Sequence, residues 1–77
     1  MTIKVKYFGQ IAEVTGIQEE FVKFSGVTLM ELVGKLSQKY PDLEKKSFQM
    51  AQNKELVSLD SKLTGDEIAF LPPFAGG

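Results

Sequence analysis

Two pairs of adjacent carboxylates stand out first in this 77-residue chain, Glu19-Glu20 and Asp66-Glu67. Such pairs serve general acid–base chemistry when burial pushes their pKa values apart. Neither has a context that predicts such burial. Glu19 and Glu20 lie in a strand-like run, where neighbours face opposite sides, and Asp66 beside Gly65 reads as a turn. Histidine and cysteine are both absent. That excludes His-based triads, thiolate nucleophiles, disulfides and zinc sites of the usual kind. The stretch "GVTLMELVG" contains neither GxGxxG nor a P-loop lysine, so phosphate binding has no support. Phenylalanines could stack on bases, but at strand period they read as core.

The remaining reactive group is the α-carboxylate of Gly77, anionic at neutral pH with an ordinary pKa of about 3.3–3.7. Another enzyme could convert it into an acyl adenylate, whose carbonyl then accepts a nucleophile. The ending "FLPPFAGG" suits entry into a narrow active site. Pro72 and Pro73 would hold the base of an arm extended, Phe74 and Ala75 follow, and Gly76 and Gly77 leave the tip bare and free in φ/ψ. Extended, residues 72–77 reach about 20 Å. The reading is a domain over residues 1–71 with a flexible tail over 72–77; the alternative is a frayed terminus that happens to end in glycines.

Composition allows a single small domain. A chain of this length buries only about 60% of its unfolded surface, and 43% hydrophobic residues suffice for one core. The net charge of −1 comes from mixed acidic and basic residues. No lysine cluster supplies a phosphate footprint, so nucleic acid is not the expected partner. "MTIKVKYFGQ" alternates instead of running apolar, which predicts neither a signal peptide nor a membrane span. A cytoplasmic domain is the expectation.

The elements that must position the tail follow from periodicity. Ile3, Val5 and Tyr7 alternate with polar residues, a half-buried strand. "GQIAEVTG" allows about two helical turns, and "QEEFVKF" reads as a second strand with Phe21, Val22 and Phe24 as its apolar content. In "TLMELVGKLSQKYP", Leu29, Leu32, Val33, Leu36 and Tyr40 share one helical face. Thr28 and Glu31 have capping-box spacing, with Glu31 expected to reach back to Thr28, and Pro41 stops the helix. "PDLEKKS" is a polar connection. "FQMAQ" and "ELVSL" flank a tight turn at Asn53-Lys54, "TGDE" is a further turn, and the almost wholly apolar "IAFLP" predicts a central last strand. One helix on one face of a mixed sheet, an α+β fold, buries both apolar surfaces.

The whole pattern resembles the small subunits of molybdopterin synthase, a family of ubiquitin-like sulfur carriers. The resemblance rests on "KYFGQIAEVTG", on the helix, and on "NKELVSLDSKLTGDEIAFLPPFAGG". Within these, Phe8, Glu13, Gly16, Asn53, Asp60, Leu63, Gly65-Asp66-Glu67, Pro72-Pro73 and Gly76-Gly77 match the family's motifs. Two positions depart from them: Gln52 stands where an apolar residue usually precedes the Asn, and Phe74 replaces a smaller residue.

The resemblance implies a β-grasp fold and a carrier with no bound cofactor or metal. An E1-like adenylating enzyme would use ATP and Mg²⁺ to adenylate Gly77. A sulfur donor would then give a C-terminal thiocarboxylate, which the large synthase subunit would use to make the molybdopterin dithiolene. The large subunit would supply the catalytic side chains, in an expected heterotetramer, and Phe8, Leu56 and Leu71 match the family's subunit interface. Two alternatives keep the same tail chemistry: a thiamine-pathway sulfur carrier, and a ubiquitin-like modifier joined through Gly77 to lysines.

Overall fold

A computed structural model of the chain describes residues 2–64 and 67–73. The predicted turn at Gly65-Asp66 and residues 74–77 of the tail lie outside the described residues. The elements run β1 (Thr2–Tyr7), α1 (Gln10–Thr15), β2 (Glu19–Lys23), α2 (Leu29–Lys39), a 3-10 turn (Pro41–Lys45), β3 (Gln49–Gln52), β4 (Glu55–Val57) and β5 (Glu67–Leu71). The five strands form one sheet in the order β2-β1-β5-β3-β4. β5 lies parallel to β1, and every other neighbouring pair is antiparallel. A mixed sheet with its last strand in the middle and one long helix across one face is the β-grasp arrangement.

Alternation along the strands sorts the two faces. Ile3, Val5 and Tyr7 of β1, Val22 of β2, Met50 of β3, and Ile68 and Phe70 of β5 are buried. They meet Leu29, Leu32 and Leu36 of α2 in one core. Tyr7 and Phe48 pack on either side of Phe70, with ring centroids 5.5 and 5.0 Å away. The second strand divides differently from its apolar content: Val22 and Phe24 are in the core, whereas Phe21 is 70% exposed on the other face. Strand alternation decides this, since Phe24 is in step with Val22 and Phe21 is one residue out of step with both. The connection after α2 is also more than a polar link, because its 3-10 turn places Leu43 in the core at 0% exposure.

The α2 cap forms with one change of partner. Thr28 Oγ1 accepts the Glu31 N–H at 3.3 Å, but the Glu31 carboxylate accepts from Val27 N–H at 2.8 Å, one residue before Thr28. The reason lies in tertiary contacts. Leu63 N–H donates to the Val27 carbonyl and Leu29 N–H to that of Ser61, which holds residues 27–29 against the segment 61–63. Val27 N–H lies within reach of Glu31 and donates to its carboxylate.

Leu32 has no exposed surface, so Leu32→Ala is expected to cost about 2–5 kcal/mol. Thr28→Ala loses one long hydrogen bond and should cost about 1 kcal/mol. Urea titrations of both variants check the ranking; the reverse order would mean that α2 does not pack on the sheet as described.

Candidate functional site

The site is the place where the chain leaves the sheet. Pro72 and Pro73 follow β5 directly and are exposed. Ile68 and Phe70 point into the core at 0% exposure, and Phe8 N–H donates to the Phe70 carbonyl at 3.1 Å. β5 is therefore held on both sides up to the residue before Leu71. The turn after β1 passes beside the exit. Gly9 has φ +57°, and a Cβ there would stand 3.4 Å from the Pro72 ring. Glycine is the residue that combines this backbone conformation with so close an approach.

Around the exit, the sheet face opposite α2 carries a shallow depression lined by Lys6, Phe8, Ala51, Lys54, Glu67, Ala69 and Leu71. The register explains its composition, because Lys6, Ala69, Ala51 and Leu56 are successive partners across four strands. Of the three candidate docking residues, Phe8 is 44% and Leu56 is 56% exposed. Leu71 is half-buried. Phe8 and Leu71 line the depression together, and Leu56 stands next to Ala51 at the β4 edge. None of the three belongs to the core cluster.

Lysines frame this surface. Lys6 pairs with Glu67 at 3.3 Å. Lys54 reaches the rim through an unusual turn, with Asn53 at φ 50° and Lys54 at φ 73°. Two successive left-handed residues fit the right-handed twist of a two-residue hairpin, though a lysine there costs about 1–2 kcal/mol. The sequence marks Asn53 as suited to this turn but gives no sign that Lys54 shares it. Ala51 and Ala69 were also silent, since nothing local says that two small residues will meet across β3 and β5.

Gln52 is buried at 8% exposure, and both ends of its amide are used. Its Oε1 accepts from Thr64 N–H at 2.8 Å and its Nε2 donates to the Lys62 carbonyl at 3.2 Å. A polar residue is tolerated at this buried position because its hydrogen bonds are made. They tie β3 to the segment leading into β5. Asn53 continues the tie, its N–H donating to the Glu67 carbonyl at 2.9 Å.

The carboxylate pair at residues 19–20 separates as strand neighbours should. Glu19 faces out and pairs with Lys4 at 3.5 Å. Glu20 points to the helix side, where its carboxylate accepts from Tyr7 Oη at 2.6 Å, Tyr40 Oη at 2.9 Å and Lys39 Nζ at 2.6 Å. Burial pushes the Glu20 carboxyl up. The bonds from Lys39, Tyr7 and Tyr40 outweigh it and leave the group below its ordinary value. Burial, then the Glu20 hydrogen bond, pushes both tyrosines up. All four groups are thus held in their ordinary neutral-pH states, which suits a brace between β1, β2 and α2, not proton transfer. Of the pair at residues 66–67, Asp66 lies outside the described residues and Glu67 is the partner of Lys6. Among the described residues, no helix is long and apolar enough to cross a membrane.

Comparison with known proteins agrees with this geometry. The ThiS family model matches residues 5–77. The molybdopterin synthase sulfur carrier subunit of Mycobacterium tuberculosis is 39% identical, over 97% of this chain and 96% of the relative. The chain belongs to the ThiS family. A chain of the solved protein–protein complex of subunits 1 and 2 of molybdopterin-converting factor from Helicobacter pylori is 33% identical with a TM-score of 0.69, covering 100% of both chains. The small archaeal modifier protein 1 of Haloferax volcanii has a TM-score of 0.80 at 26% identity, covering 95% of this chain and 98% of its own. In this ThiS-family chain the match extends through residues 76 and 77.

The Glu20 brace gives a pH prediction. A group whose pKa is lower folded than unfolded contributes stability that is complete above the unfolded value, about 4.3 for Glu, and is lost as pH falls through the folded value. Glu20→Gln should therefore lower the melting temperature at pH 7. It should also flatten the loss of stability as pH falls below the unfolded value and through the lower folded one, so that the two melting temperatures converge in acid. Parallel pH profiles would remove Glu20 from the acid response.

Proposed function

We propose that this chain is the sulfur carrier subunit of a molybdopterin synthase and that Gly77 is its reactive residue. The observation that supports it most is the alignment of the site with the family match. The tail root emerges from the centre of the sheet beside an apolar depression, and residues 76–77 fall within a match that runs to the end of the chain. The Mycobacterium tuberculosis relative is a molybdopterin synthase sulfur carrier subunit, and in this reading the chain takes the same part in molybdenum cofactor biosynthesis.

The cycle has three steps in this reading. The Gly77 carboxylate attacks the α-phosphorus of ATP in the active site of an E1-like enzyme holding Mg²⁺, and pyrophosphate leaves. Sulfide-level sulfur from a donor then attacks the acyl carbonyl, AMP leaves, and the terminus becomes a thiocarboxylate. The large subunit receives the tail and passes the sulfur to cyclic pyranopterin monophosphate. This chain holds no cofactor and supplies no catalytic side chain; its task is delivery. In this reading the cycle runs in the cytoplasm, and a heterotetramer with two carriers is the expected assembly. The likeness to a small archaeal modifier keeps one second reading, in which the same activated Gly77 is joined to lysines of target proteins.

Delivery requires the body to dock. Ordering a peptide costs about 1–2 kcal/mol per residue, or about 6–12 kcal/mol for the six residues 72–77. Two glycines and two prolines offer few contacts to offset it. Phe8, Leu71 and Leu56 provide the apolar surface that holds the large subunit while the tail enters. Leu56→Asp is expected to weaken that complex at least tenfold with the melting temperature nearly unchanged, because Leu56 is 56% exposed. Calorimetric titration with the large subunit checks this, and undiminished binding would remove Leu56 from the interface.

The chemical test is intact-protein mass spectrometry after incubation with the adenylating enzyme, ATP and a sulfur donor. Wild type should exchange one terminal oxygen for sulfur. Deletion of Gly77 leaves the core intact but withdraws the carboxylate by about 3.3–3.6 Å, and misplacement by 1 Å can already cost about a hundredfold. The shortened chain should gain no sulfur. Equal sulfur loading by both chains would refute the carrier reading, and recovery of Gly77–lysine conjugates in place of thiocarboxylate would favour the modifier.

A further inference from the structure

β2 is the outer strand of the sheet on the side away from β4. Its open edge can be read from the ladder. Tyr7 N–H donates to the Gln18 carbonyl at 2.8 Å, in line with the register that sets Lys6 against Glu19 and Val5 against Glu20. In an antiparallel pair, residues that exchange both bonds alternate with residues that exchange none. Glu20 and Val22 therefore direct their backbone groups at β1, and Glu19, Phe21 and Lys23 direct theirs away from the sheet. Lys23 agrees with this, since its carbonyl accepts from Lys35 Nζ at 2.6 Å and not from β1. The side chains of these three residues are exposed as well, Phe21 at 70%.

We propose that β2 is the contact of a weak homodimer, in which two copies pair their β2 strands antiparallel about a two-fold axis through Phe21. That register places Glu19 against the partner's Lys23, Phe21 against the partner's Phe21, and Lys23 against the partner's Glu19. Every residue in it is one whose backbone donor and acceptor face the open edge, so the ladder forms without shifting β2 on β1. The charges fit in the same register: each end of the strand meets the opposite sign, twice per dimer. A shift of two residues in either direction loses both charge pairs and sets a Glu or Lys against Phe21. The sequence "EEFVK" is thus self-complementary as an edge.

Two features limit the affinity. Lys35 must release the Lys23 carbonyl, which requires only a change of rotamer in an exposed lysine. Edge lysines of this kind hold strand pairing in check. A five-residue strand pair also buries well under the standard interface of about 1,600 Å², so the dimer forms only at high concentration. Leu56 is at the opposite edge of the sheet, and β5 with Pro72 lies two strands in from β2. Both copies therefore keep their tails and the β4 edge open.

Sedimentation velocity of the full chain from about 1 µM to about 1 mM, the range of weak association, tests the proposal. The wild-type mass should rise towards that of a dimer. Glu19→Lys and Lys23→Glu each place like charges opposite one another twice, and each should raise the dissociation constant about tenfold. An equimolar mixture of the two variants should associate again, because Lys at 19 in one chain then meets Glu at 23 in the other. Thermal melts confirm that each variant is folded. A wild type that stays monomeric at 1 mM, association that neither change weakens, or a mixture that fails to recover would each overturn the proposal.

Discussion

β5 is paired on both edges, parallel to β1 and antiparallel to β3, and it ends at the residue before the two prolines. The tail can be aimed only as well as this strand is held. Ile68 and Phe70 anchor it from the helix side at 0% exposure, and the rings of Tyr7 and Phe48 close on Phe70. Strand β1 also supplies the residues next to the exit, since Phe8 and Gly9 follow Tyr7 directly. A parallel neighbour makes this possible. β1 and β5 run in the same direction, so both finish at the same end of the sheet, one continuing into a turn and the other into the tail.

The two faces of the sheet then divide the work. The helix side contains the core and the Glu20 brace, where three donors outweigh the cost of desolvating one carboxylate. The opposite face is built of small and charged residues around a few exposed apolar ones, which suits a surface that must be stable alone and still bind a partner. Phe21 on this face stands on β2, one strand beyond Lys6, and does not line the depression. Polar ties fix the approach to β5: Gln52 holds the backbone at Lys62 and Thr64, and Asn53 holds Glu67. The burial of Gln52 is balanced because both ends of the amide are bonded.

The sequence by itself determined the elements whose signals are local. The stripe of Leu29, Leu32, Val33, Leu36 and Tyr40 marks a helix because 3.6-residue periodicity is a property of a single segment. The run Ile68 to Leu71 reads as a central strand because only a strand covered on both edges and one face can be so apolar. The glycines at 76 and 77 are legible for a similar reason: with no His or Cys in the chain, chemistry had few other places to reside. The tertiary structure decided whatever depends on two distant segments meeting. Whether Phe21 or Val22 enters the core depends on register against β1, and a one-residue shift would invert it. Glu31 caps Val27 and not Thr28 in a segment that hydrogen bonds from residues 61–63 hold in place. Ala51, Ala69, Phe8 and Leu71 form one surface only because β5 inserts between β1 and β3, which places residues some sixty positions apart in sequence within contact range. Local patterns record what a segment can be, whereas the partners of a β-strand are chosen by long-range burial that no short window contains.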